Sequence, residues 1–96
     1  MLFLIYAHDK PGALDLRLSV RPEHLAYVAE SGVCKIAGPM LDESGNACGS
    51  MLVIEAEDLT AAKDWAANDP YAKAGLFADT EVSPWKWVVG NPEDQS

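Results

Sequence analysis

The stretch "RLSVRPEHLAYV", residues 17–28, places two arginines and a histidine at helical spacing. At about 100° per residue, Arg17, Arg21 and His24 fall within about 60° of one another around a helix. Two fixed cations beside a ring that titrates near neutrality can hold an anionic substrate next to an acid/base group. The same spacing suits arginines lying along a helix surface with their aliphatic stems packed, and a histidine that only packs. Spacing alone leaves both readings open. His8, at the end of the first apolar run, has no partner suggested by the sequence.

An imidazole that moves protons needs a carboxylate to fix its tautomer and balance its charge. Asp69, before Pro70 and Tyr71, reads equally well as the cap of a short helical turn. For both roles to coexist, its two oxygens are expected to serve different partners. Asp42 is the rival carboxylate, in a loop dense in turn formers. Gly38-Pro39 and Gly49-Ser50 flank that loop; glycine there would let a ligand approach the backbone, and Ser50 offers a hydroxyl. Plain turn chemistry explains the same residues. The chain has no GxGxxG, P-loop or GxSxG motif, so phosphate-cradling and serine-hydrolase chemistry have no support. Cys34 and Cys48 form no CxxC and no metal-ligand spacing, so no metal and no organic cofactor is expected.

The elements that must position these groups follow from the apolar pattern. Residues 2–7, "LFLIYA", read as a buried central strand, and Pro11-Gly12 as a turn. Leu14, Leu18, Leu25 and Val28 predict an apolar helix face. Pro22 predicts a break, with one helical stretch ending near Val20 and a second opening at Pro22 and closing at Gly32. "VCKIAGPM" (33–40) and "SMLVIEAE" (50–57) read as a hairpin joined by the loop 41–49. Asp58 caps a helix over 59–68 with Leu59, Ala62, Trp65 and Ala66 inward, and Asp69-Pro70 starts a last short turn that Gly75 ends. The final strand, roughly 77–89, contains Pro84, which demands an edge position or a bulge. The order βαββαβ is that of the ferredoxin-like α+β fold: an antiparallel sheet with its helices on one face. Trp85, Trp87 and Val88 of the last strand would cover the other face with a second copy, giving a homodimer.

Composition narrows the partners. Ninety-six residues allow one small domain (1–89) with a polar tail over 90–96. The net charge of -8 repels phosphate backbones and anionic membrane surfaces, so neither nucleic acid nor membrane is an expected partner. Two cysteines are few for a small secreted scaffold, and "MLFLIYAHDK" lacks the features of a signal peptide, which points to the cytoplasm.

Taken together, "LFLIYAHDKPGAL", "RLSVRPEHLAYV", "AGPMLDESGNACGSMLVIEAEDLTAAKDW" and "DPYAKAGLFADTEVSPW" resemble the YCII family of YciI-like proteins over nearly the whole chain. The set R-x3-R-x2-HL, GP, GS and DPY-x3-G carries the resemblance. It implies a dimeric α+β barrel-type assembly of ferredoxin-like units, with a cleft near the interface and a histidine–aspartate pair as its active centre. The histidine matches His24 and the aspartate is carried onto Asp69, with Asp42 second. Arg17, Arg21, Gly38 and Ser50 would line the pocket. Such parts suit proton abstraction followed by elimination or isomerisation of a small anionic metabolite. The alternative is a dimeric module that binds a small ligand without chemistry.

Overall fold

The computed structural model of the chain describes residues 1–92. The end of the expected polar tail, 93–96, lies outside the described residues. Seven elements follow one another: β1 (Leu2–Asp9), α1 (Leu14–Ser31), β2 (Cys34–Leu41), β3 (Ala47–Glu55), α2 (Leu59–Ala67), α3 (Pro70–Lys73) and β4 (Phe77–Trp85). The sheet runs β2-β3-β1-β4, and every neighbouring pair is antiparallel. This is the expected α+β order, with α3 as a single extra turn in the second connection.

Side chains alternate across β1 as strand geometry requires. Phe3, Ile5 and Ala7 are buried, whereas Leu2, Leu4 and Tyr6 between them are partly covered. Register sets Phe3 beside Ile54, Ile5 beside Leu52 and Ala7 beside Ser50. The first two pairs form the core with Ala62 and Ala66 of α2. Ser50 therefore continues the buried row of β3 past the edge of the apolar core. Both prolines within strands, Pro39 and Pro84, lie on the edge strands β2 and β4, where proline is tolerated.

Two expectations about α1 fail. The helix passes through Pro22 without a break, from Leu14 to Ser31, and ends at Gly32 in the left-handed conformation (φ 69°). Proline inside a helix costs about 3 kcal/mol. Buried contacts on both sides of it, through Arg17 and His24, hold the two halves in one rod. The second failure concerns the buried face. Leu18 and Leu25 are about half exposed, whereas Arg17 and His24 are the residues that α1 buries. Pairing with carboxylates offsets the desolvation of these two polar groups, which periodicity of apolar residues does not register.

Strand boundaries also move. β3 begins at Ala47 and β2 runs to Leu41, so the hairpin connection is 42–46 and not 41–49. Asp42 tightens that connection by accepting from the backbone amides of Ser44 and Asn46. β4 stops at Trp85, so Trp87 and Val88 are not strand residues. The two tryptophan rings lie 5.8 Å apart, and Trp87 Nε1 donates to the Val89 carbonyl.

Candidate active site

Four of the candidate residues come from three elements. Arg17 and His24 lie seven residues apart on α1, Ser50 is on β3, and Asp69 caps α3. All four are buried, Arg17 to 5% exposure, His24 to 8%, Ser50 to 3% and Asp69 to 2%. They adjoin a cavity of about 300 Å³ bordered also by Arg21, Leu18 and Leu25 of α1, Ala37, Gly38 and Pro39 of β2, and Tyr71 of α3, with Asp69 behind His24. Gly38 has open space where a Cβ would stand.

Asp69 both caps α3 and contacts the His24 ring. His24 Nδ1 lies 2.9 Å and 3.0 Å from the two carboxylate oxygens, and the Tyr71 amide donates to Oδ1 at 2.9 Å. The two partners share Oδ1, against the expectation of separate oxygens, because a carboxylate oxygen can accept twice. With Nδ1 engaged by the carboxylate, Nε2 is the ring nitrogen that Asp69 does not engage. Asp42, the rival carboxylate, stays in its own turn.

Arg17 is paired as well, and with a residue that sequence reasoning missed. Its Nε and Nη2 donate to Asp9 Oδ2 and Oδ1 at 2.7 Å and 3.0 Å, and Nη2 also donates to Ser50 Oγ at 2.6 Å. Burial works to lower the Arg17 pKa, but the hydrogen bond and charge of Asp9 outweigh it and hold the guanidinium charged above its ordinary range. The local signal for Asp9 was an acid at the end of β1, just before the turn that leads into α1. Such an acid reaches a base one turn into that helix.

Arg21 is different. It is exposed at the rim of the cavity and, among the described residues, makes no ion pair with a carboxylate. Arg17 is paired with Asp9, whereas Arg21 places its positive charge at the rim of the cavity.

Tyr71 is the other residue that the sequence did not single out. It is 2% exposed, and its ring stacks on the His24 imidazole with centroids 4.0 Å apart and planes 15° off parallel. Burial pushes its phenol above the usual tyrosine range, while Arg17 and Arg21 pull it back. Gly49, by contrast, is explained by packing. A Cβ there would come within 2.5 Å of the Ala7 carbonyl oxygen on β1, so the position serves strand contact and not ligand approach. Among the described residues no group of three or more His, Cys, Asp or Glu side chains is arranged to hold a metal ion. No helix among them is long and apolar enough to cross a membrane.

The YCII-related domain model matches residues 1–86. The chain belongs to the YCII-related family. It is 43% identical to protein YciI of Escherichia coli O6:H1, over 92% of this chain and 99% of that one. Among solved structures, it is similar to 5-chloro-2-hydroxyhydroquinone dehydrochlorinase (TftG) of Burkholderia phenoliruptrix AC1100, in complex with 2,5-dihydroxybenzoquinone. That likeness has a TM-score of 0.81 at 40% identity, over 90% of this chain and 94% of the other. SnoaB, a cofactor-independent oxygenase of Streptomyces nogalater, shares the fold at TM-score 0.61 and 15% identity, over 94% of this chain and 97% of that one.

Proposed function

We propose that this YCII-family chain is a small-molecule enzyme without metal or organic cofactor, a lyase or isomerase, in which His24 is the general acid/base and Asp69 its orienting carboxylate. The observation that carries the reading is the double approach of Asp69 to His24 Nδ1, which leaves Nε2 as the ring nitrogen able to act on a ligand in the cavity. Nε2 takes a proton from the substrate, and the freed electron pair forms the new double bond. In an elimination the leaving group departs with its own pair; in an isomerisation His24 returns the proton at another atom. Asp69 balances the imidazolium formed between these steps.

The cavity suits a small, flat anion. Leu18, Leu25, Ala37, Pro39 and Tyr71 give it apolar walls, and Arg21 supplies one unpaired charge for a phenolate, enolate or carboxylate. Ser50, held by Arg17, still has its hydroxyl proton to donate. The dehydrochlorinase that this chain resembles works on a hydroxylated, chlorinated ring and holds a dihydroxyquinone. That chemistry is of the class proposed here.

The test uses those two compounds. The wild-type chain should bind 2,5-dihydroxybenzoquinone and release chloride from 5-chloro-2-hydroxyhydroquinone, and His24→Ala should lower the turnover by about 10²–10⁴-fold. Equal turnover by the variant would sink the acid/base reading. Stoichiometric binding with the ligand returned unaltered would move the protein to the binding-module reading.

The same reading includes a homodimer. On the sheet face away from the helices, Leu4 sits beside Val53 and Tyr6 beside Met51. Val53 is already buried, and a second copy would cover the partly exposed Leu4, Tyr6 and Met51. Light scattering at micromolar concentration should give twice the chain mass, and a monomer there would refute the dimer alone.

A further inference from the structure

Resting on the acid/base reading of His24, we propose that Tyr71 is the positioning residue of the site, its ring face holding the imidazole so that Nε2 stays aimed into the cavity. Hydrogen bonds at one atom fix where Nδ1 sits but leave the ring free to tilt about that contact. Asp69 grips Nδ1 alone. The Tyr71 ring, 4.0 Å from the imidazole centroid and 15° off parallel, removes the tilt by packing flat against it.

The Tyr71 ring is itself fixed. Phe77 meets it edge-on with centroids 6.0 Å apart, and the Arg17 guanidinium carbon lies 4.7 Å from its centroid. Its backbone amide sets the orientation of Asp69 through Oδ1. One residue thus touches His24, Asp69 and Arg17, the first by its side chain and the second by its backbone. This division makes the role separable. A side-chain substitution removes the support under the imidazole and leaves the amide bond to Asp69 in place.

The test compares Tyr71→Phe, which keeps the ring face and drops the hydroxyl, with Tyr71→Leu, which removes the face. Nitrogen-15 NMR of the His24 ring in the ligand-free protein reads the tautomer directly. Tyr71→Phe should match wild type, with hydrogen on Nδ1, whereas Tyr71→Leu should show an increased share of hydrogen on Nε2. With 5-chloro-2-hydroxyhydroquinone, Tyr71→Leu should lower kcat by about 10- to 100-fold, the scale of a small misplacement of a reacting group, with KM changed far less. Wild-type ring-nitrogen signals in folded Tyr71→Leu would overturn the proposal. So would a Tyr71→Phe variant that behaves like Tyr71→Leu, since the hydroxyl would then be the working part. If Tyr71→Leu does not fold, Tyr71→Met, unbranched and of longer reach, carries the same comparison. The NMR result needs no substrate. Absent turnover in wild type with the expected nitrogen pattern would therefore refute the acid/base reading and leave the positioning role standing.

Discussion

The molecule contains two histidine–aspartate pairs, and they share almost the same bond length. His24 and Asp69 meet at 2.9 Å, and His8 and Asp79 at 2.8 Å. Everything around the bond differs. The side chains of the first pair are 10% and 3% exposed; those of the second are 49% and 62% exposed. Asp69 engages through both oxygens and is itself held by a backbone amide, whereas His8 and Asp79 are opposite residues on neighbouring strands, at the solvent-facing end of β1 and β4. His24 lies flat against Tyr71; His8 meets the Tyr6 ring edge-on at 4.8 Å. A donor–acceptor distance therefore says little about what a pair can do. Water screens the exposed pair and lets either partner swing away, while burial and a stacked ring hold the other in one geometry, as the proposed acid/base role requires.

Substitutions in the two aspartates should separate the pairs most widely. Asp69→Asn keeps a side chain that caps α3 well, so the fold should hold. It replaces a carboxylate acceptor by an amide that can present its NH2 to Nδ1, so turnover should fall by about 10²–10⁴-fold. Turnover within a few fold of wild type would put the two pairs on the same footing. Next in size is the second buried ion pair. Asp9→Ala leaves the Arg17 charge in a buried position without its partner, a loss expected to be about 3–5 kcal/mol and visible as a lower urea midpoint. A change below about 1 kcal/mol would mean that water reaches the guanidinium. The smallest effect belongs to the exposed pair. Asp79→Ala should alter stability by no more than about 0.5 kcal/mol and leave turnover at the wild-type rate, because the pair is solvated and on the far side of the sheet. A measurable loss of activity there would tie the open sheet face to the site.

Much of this arrangement was legible before any coordinates. The order of elements, the cap at Asp58, the end at Gly32 and the edge position of Pro84 all rest on local rules, and local rules act within a few residues. Asp69 at the start of a one-turn helix was legible for the same reason. Its approach to His24 followed only from the family resemblance, since the two residues are far apart in sequence. What stayed hidden was long-range or compensatory. Asp9 reaches Arg17 only because β1 and α1 lie side by side. Asp79 faces His8 only through strand register. The stack of Tyr71 on His24 needs α3 folded against α1. Pro22 misled because its cost was weighed without the buried pairs that hold the helix across it. Leu18 and Leu25 misled because they border a cavity and are not packed into the core.

The separation of 45 residues between His24 and Asp69 has a consequence for how the protein matures. Helix α1 makes its own hydrogen bonds early and locally, but Asp69 arrives only after β2, β3 and α2 have been synthesised and folded back. A chain that has emerged only as far as α2 thus has the imidazole but not yet its carboxylate partner. The contact between His24 and Asp69 therefore closes only once α3 has docked on α1, with β4 still to pair on β1.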